Sequence, residues 1–127
     1  MAHTVEWIEN GVIWRFFKTV NSNEIKLVHT KFYSDRRCDK VKFQIFDLSD
    51  LKTSILFESE IRTAAIFDTG GSRIVPNLRV AFVVSEHSPI RDVERYIEES
   101  QKMKTSNTFG VFQDLESAEK WGREGKF

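Results

Sequence analysis

The chain has one cysteine, two prolines and no excess of charge of either sign, and each shortage excludes a class of protein. A lone thiol, Cys38, closes no intramolecular disulfide, which fits a reducing compartment. There is no proline-rich linker, low-complexity tract or repeat. The 127 residues are therefore read as a single domain, 1–127, long enough to bury a sizeable core. Lys plus Arg and Asp plus Glu number 19 each, so the positive surplus that draws a protein to nucleic acid is missing, and no nucleic-acid partner is expected. Arg36, Arg37, Lys40 and Lys42 form the main basic cluster, but Asp35 and Asp39 interrupt it, as in a solvated turn. No apolar run approaches the roughly 20 residues that span a bilayer. Met1 to Glu6 lacks the basic-then-apolar layout of a signal peptide, so a cytoplasmic location is expected.

What is present is an ordinary globular pattern. Val41 to Ser49 is rich in β-branched and aromatic residues and ends in an acid and a hydroxyl. It reads as an inner strand that delivers Asp47 and Ser49 to the C-terminal edge of a sheet, where ligands of open α/β sheets usually dock. Upstream, Val5–Glu9 and Val12–Val20 flank Asn10-Gly11, a pair that tolerates the positive φ angles of a tight turn, so an antiparallel hairpin is predicted.

Asn21 can cap a helix over about 22–34, with Glu24 three residues on as in a capping box. Ile25, Val28, His29 and Phe32 share one face of it. A loop, 49–58, is expected to lead to a second helix over about 60–74, capped by Ser59 and carrying Ile61, Ala64, Ala65 and Asp68 on one stripe. The glycine pair Gly70-Gly71 reads as an early helix end, a kink or close packing. Leu78–Ser85 is apolar on both faces and should be central. Ser88-Pro89 looks like a cap followed by proline in the first turn of a helix that reaches about Met103. Thr108–Gln113 is a fifth strand, and Asp114 caps a last helix with Leu115, Ala118 and Trp121. The order β-β-α-β-α-β-α-β-α favours parallel strands joined by crossover helices, with only the first strand antiparallel.

Chemistry-bearing residues collect at strand ends: Asp47, Ser49, Ser85, Glu86, His87 and Asp114. A Ser-His-Asp set can be drawn from them, yet the strained G-x-S-x-G elbow of α/β hydrolases is absent and each residue has an ordinary structural use. His3, His29 and His87 lack metal-ligand spacing, so no metal and no cofactor are expected. Thr69-Gly70-Gly71-Ser72 lacks the G-K-[ST] of a phosphate loop. Asp68 lies on an apolar stripe, where a buried, unpaired carboxylate would cost several kcal/mol. The stripe is expected to reach water there. The eleven phenylalanines read as core rather than as the wall of an apolar pocket.

In this order the chain resembles the SpoIIAA-like family of the STAS superfamily, and in particular its small stand-alone bacterial members, whose fold is compared with CRAL-TRIO lipid carriers. The residues that carry the likeness are Asn10-Gly11-Val12, Asn21 to Glu24, Phe46-Asp47-Leu48-Ser49-Asp50-Leu51, Ala64-Ala65 with Asp68, Pro76-Asn77-Leu78-Arg79-Val80-Ala81, and Val111-Phe112-Gln113-Asp114 with Ala118 and Trp121. The resemblance implies an α/β fold, a SpoIIAA-like βα superhelix: a mixed five-stranded sheet with an N-terminal antiparallel hairpin and four helices. It also implies a non-enzymatic, regulatory module acting through a protein partner. The alternative is a carrier of a small apolar or lipid-like ligand.

Antagonists of the superfamily carry a phosphorylated serine in a D-S-S-G-like turn after strand three. Asp47-Leu48-Ser49-Asp50 keeps an aspartate and a serine without the glycine. Phe57-Glu58-Ser59-Glu60 keeps only the serine, between two acids that would repel a phosphate. Ser59 is therefore expected to cap its helix and not to serve as a kinase substrate. The candidate binding rim comprises Asp47, Ser49, Ser59, Asp68, Glu86 and His87. A homodimer is expected on separate grounds. The three Trp, two Tyr and eleven Phe are many for one small core. The strand Val12–Val20 has Trp14 and Phe16 on one face and Ile13 and Phe17 on the other, and a hairpin at the margin of the sheet cannot easily bury both faces within a monomer.

Overall fold

The computed structural model describes residues 3–54 and 58–125. The elements run β1 (His3–Ile8), β2 (Gly11–Val20), α1 (Ser22–Ser34), a 3-10 turn (Arg36–Lys40), β3 (Phe43–Ser54), α2 (Glu58–Gly71), β4 (Arg79–Val83), α3 (Ile90–Lys102), β5 (Thr108–Phe112) and α4 (Leu115–Glu124). The expected order holds. One five-stranded sheet has the order β1-β2-β3-β4-β5, with β1 antiparallel to β2 and every other pair parallel.

That spatial order decides the layers. Crossovers between neighbouring parallel strands are right-handed, and the strands advance in one direction without reversal. The three crossover helices α1, α2 and α3 must therefore lie on the same face of the sheet. Under them Val12, Trp14, Phe16, Phe46, Val80 and Phe82 form the larger core with Val28, Phe32 and Val93. The opposite face carries Ile13, Phe43, Ile45, Ala81 and Val83, covered by Ala118 and Trp121 of α4. A strand buried on both faces reads as a continuous apolar run, which is why Leu78–Ser85 stood out. β4 is indeed interior, between β3 and β5.

Local signals worked where the partner is local. Asn21 Oδ1 accepts from the backbone N–H of Glu24 at 3.0 Å, and Asp114 Oδ1 from that of Ser117 at 2.7 Å. The capping box is only half formed. The Glu24 carboxylate is buried and takes a 2.8 Å bond from the His3 ring instead of turning back to its own helix. The basic cluster forms the 3-10 turn. Asp35 accepts from Arg37 Nε and Nη2 at 3.0 and 2.8 Å, and these bonds hold its carboxyl down to about 2. The Arg37 guanidinium also lies 4.2 Å from the centre of the Trp7 ring.

Four expectations are corrected. The loop at 49–58 is largely strand. β3 runs on to Ser54 because ten-residue β2 offers it a partner for that length, pairing Phe17 with Asp50, Lys18 with Leu51 and Val20 with Ser54. The part of that loop at 55–57 lies outside the described residues. Ser59 is not the cap of α2, since Glu58 is already helical and Ser59 sits in the first turn. Ser88 does not cap α3: Pro89 holds that position with no side-chain bond. The Ser88 hydroxyl donates instead to the Leu48 carbonyl at 2.7 Å. Finally, the hairpin does lie at the margin of the sheet, but only β1 is an edge strand and β2 is covered on both faces. It lies between β1 and β3, and Val12, Ile13, Trp14 and Phe16 are all buried within one chain. The argument from surplus aromatics to a homodimer therefore loses its premise.

Candidate functional site

The rim at the C-terminal ends of the strands is knit together from backbone and hydroxyls. Opposite Arg15–Phe17 of β2, strand β3 carries an extra residue between Asp47 and Asp50, a β-bulge. Asp47 Oδ1 stabilises it by accepting from the Ser49 N–H at 3.0 Å and the Ser49 hydroxyl at 2.6 Å. Ser85 Oγ then donates to the Ser49 carbonyl at 2.9 Å, and the Ser85 N–H donates to Ser88 Oγ at 2.8 Å. Asp47 also faces Arg15 Nε at 3.8 Å.

The structure therefore joins Asp47 and Ser49 with Ser85, which the sequence also placed at a strand end, and with Ser88, which sequence reasoning read only as a helix cap. It does not bring His87 into that network through its ring. The His87 ring and the Glu86 carboxylate are exposed, and among the described residues they meet only each other, at 3.2 Å. A Ser-His-Asp arrangement is not assembled. Nor does the sheet reverse strand order, so it has no switch-point crevice of the kind that collects ligands at such an edge. Ser59 is exposed in the first turn of α2. Among the described residues no cluster of His, Cys, Asp or Glu could hold a metal ion.

Asp68 departs most from expectation. It does not reach water: it is 1 % exposed. Its carboxylate accepts from the Tyr33 hydroxyl of α1 and from Asn107 Nδ2, which precedes β5, both at 3.2 Å. His29 Nε2 stands 3.9 Å away, too far for a hydrogen bond but close enough for charge to be felt. Tyr96 of α3 completes the group, and burial together with Asp68 pushes both tyrosine hydroxyls upward.

Gly71 makes this possible, because a Cβ there would lie 2.1 Å from the Tyr33 ring. Of the glycine pair, Gly71 thus serves close packing as well as ending the helix. One carboxylate, drawing donors from residues 35 and 39 positions away, ties α1, α2 and the start of β5 together. Only the odd placement of Asp68 on an apolar stripe hinted at it.

His29 is buried, and desolvation lowers its pKa below the usual 6.5, against the opposing pull of Asp68. The groups facing it are Asp68 from α2 and, through the same cluster, Tyr33 and Tyr96. The unfolded chain therefore takes up a proton near pH 6.5 that the folded chain resists. The stability due to neutral His29 is complete above pH 6.5 and lost as the pH falls below it, at up to about 1.4 kcal/mol per unit. Urea unfolding at pH 6.5 and 5.5 should show a loss about 1 kcal/mol larger for the wild type than for His29→Leu. Equal losses would clear His29 of the effect.

Two apolar features lie beside this cluster. A partly enclosed cavity of about 90 Å³ is bounded by the sheet face and by α1, α2 and α3, with Phe46, Leu51, Ala64, Phe82 and Val93 in its wall and His29 at its edge. A broader groove of about 560 Å³ runs between α1 and the end of α2, lined by Tyr33, Ile66, Phe67, Gly70, Gly71 and Ile74. Ile66, Phe67 and Ile74 are 54 %, 46 % and 64 % exposed. None of the described residues lining the groove is Asp, Glu, Lys or Arg, in a chain where 30 % of residues are charged.

No protein-family model matches the sequence, and no curated protein matches it closely. Solved structures do match in shape. The anti-sigma factor antagonist SpoIIAA in its unphosphorylated form aligns with a TM-score of 0.62 at 14 % identity, over 97 % of this chain and 99 % of that one. An uncharacterised protein of the DUF3478 family from Shewanella loihica PV-4, with a SpoIIAA-like fold, aligns with a TM-score of 0.53 at 14 % identity, over 95 % and 92 %. The antiparallel first pair, the parallel remainder and the four helices thus belong to an architecture already seen in both, and the chain has the SpoIIAA-like fold.

Proposed function

We propose that this protein is a non-enzymatic, cytoplasmic regulatory module that works by binding another protein, and that its docking surface is the apolar groove between α1 and α2. The observation that carries the reading is the cluster of Ile66, Phe67 and Ile74, large apolar side chains left exposed in a groove without a charged wall. Contiguous apolar surface of this kind marks interaction sites on proteins that otherwise keep such residues inside. α1 and the end of α2 form a trough, and among the described residues no neighbouring atom lies within 4 Å of a Cβ built at Gly70, in the last turn of α2. A backbone can approach closely there, so the occupant that fits is an amphipathic helix of the partner, laid in by its apolar face.

Of the alternative, a carrier of a small apolar or lipid-like ligand, the lipid-like part is less well supported. A cavity of about 90 Å³ is well short of the roughly 300 Å³ at which ligand pockets for larger molecules begin. Against catalysis stands the separation of His87 from Asp47 and Ser49.

Affinity capture from the source cell with wild-type, Phe67→Asp and His87→Ala baits tests the docking surface. The partner held by the wild type should fall at least about tenfold with Phe67→Asp, as for a central apolar anchor, and persist with His87→Ala. Loss with His87→Ala alone would move the interface to the strand-end rim. Sedimentation equilibrium of the same proteins distinguishes a second copy of the chain from a foreign partner.

A further inference from the structure

The cavity beneath the three helices holds an unusual combination. Its wall is almost wholly apolar, yet His29 lines it while only 4 % exposed, and the His29 Nδ1 is buried without a hydrogen-bond partner among the described residues. Buried polar atoms are nearly always paired, and one on a ring that borders an apolar cavity is an exception that calls for an account. An apolar cavity stays dry, since a water needs two or more polar partners to settle there. The wall offers aromatic faces, with Phe46 and Phe82 stacked at 5.6 Å between ring centres and the edge of Phe46 turned to His29 at 6.4 Å. The space is open on one side, so an occupant need not be wholly enclosed.

We propose that this cavity is a binding site for a small neutral molecule with a compact apolar or aromatic body and one O–H or N–H group, which donates a hydrogen bond to Nδ1 of His29. The polarity follows from the other side of the ring. Nε2 faces the Asp68 carboxylate, which favours the proton on Nε2 and leaves Nδ1 as an acceptor. A donor therefore fits where an acceptor or an anion would not. The size follows from the volume. An apolar cavity of about 150 Å³ admits benzene, so about 90 Å³ suits a ring only if part of it stays in the open mouth. The site is separate from the docking groove, although His29 borders both, and the proposal does not depend on a protein partner.

Phenol and fluorobenzene form a matched pair of probes, alike in shape but differing in the donor. Amide shifts of the full-length chain are followed by NMR up to about 10 mM, above the roughly 1 mM Kd expected for a ligand of this size. Phenol should shift the signals of Val28, His29 and Val93 and bind about fivefold more tightly than fluorobenzene, the margin of one hydrogen bond. His29→Leu should abolish that margin while binding of both rings persists. Ala64→Leu, which fills the cavity from its wall and leaves His29 in place, should abolish both and keeps the test open if the His29 variant does not fold. Equal affinities in the wild type would overturn the proposal. So would shifts confined to Phe67 and Ile74, unchanged binding to Ala64→Leu, or no shift at all.

Discussion

Replacing Asp68 by alanine is expected to cost about 3–5 kcal/mol, the penalty for breaking a buried, hydrogen-bonded charge cluster from one side. The carboxylate is the shared acceptor of Tyr33 and Asn107. Without it, a phenol hydroxyl and an amide stay buried with nothing to receive their protons, and burial without a partner costs each group on the order of 1–3 kcal/mol. Domains of this kind are stable by about 5–15 kcal/mol in all, so the loss should be plain in urea unfolding, with an unchanged m-value if only the folded state is affected.

Asp68→Asn should cost less. The introduced amide still accepts from Tyr33, and Asn107, whose Oδ1 has no partner among the described residues, can turn that oxygen toward the new donor. A loss under about 1 kcal/mol for alanine would mean that water reaches the cluster and supplies the missing bonds.

Gly122→Ala is expected to destabilise the fold by about 3 kcal/mol through overpacking, and the cost should nearly vanish in a Phe43→Leu background. Phe43 is wholly buried, and its ring is held between two glycines. A Cβ on Gly11 would lie 2.3 Å from it, and one on Gly122 2.6 Å. No rigid ring can yield that much between a strand and a helix, so the lack of a side chain at both positions sets how closely β2 and α4 approach β3. The Gly122 carbonyl also receives Arg79 Nε at 2.7 Å, which anchors the end of α4 to β4 and prevents the helix from sliding away. A double-mutant cycle by thermal or urea unfolding measures the coupling. Equal costs in both backgrounds would show that the strain lies elsewhere.

Phe43 also shows where sequence reading stopped. As an apolar strand residue it was an evident core candidate. Nothing in its neighbourhood of sequence said that Gly11 and Gly122 would close on it from elements 32 and 79 positions away. Gln44 behaves alike: it is fully buried in a strand read as apolar, because its Oε1 accepts from Trp14 Nε1 at 3.0 Å on the adjacent strand.

The caps divide on the same principle. Asn21 and Asp114 were legible because donor and acceptor lie three residues apart. Ser88 was misread because a carbonyl of β3, forty positions away, claimed its hydroxyl. The glycine pair was read with close packing as one of three uses, but Tyr33 as its neighbour could not be named.

Periodicity and turn chemistry alone determined the number, kind and order of the elements, the Asn10-Gly11 hairpin, the parallel crossovers and the burial of β4 on both faces. Those properties arise from interactions a few residues long and from the handedness of the chain, which every sequence carries in its local pattern. Only the tertiary structure decided that β3 runs on to Ser54 against β2, that all three crossover helices share one face, and that Asp68 is buried among donors while Phe67 and Ile74 are left outside. Each of these depends on which surfaces of distant elements meet. A side chain's final environment is set by partners that may stand anywhere along the chain, and a one-dimensional pattern records the tendency to be buried without recording against what.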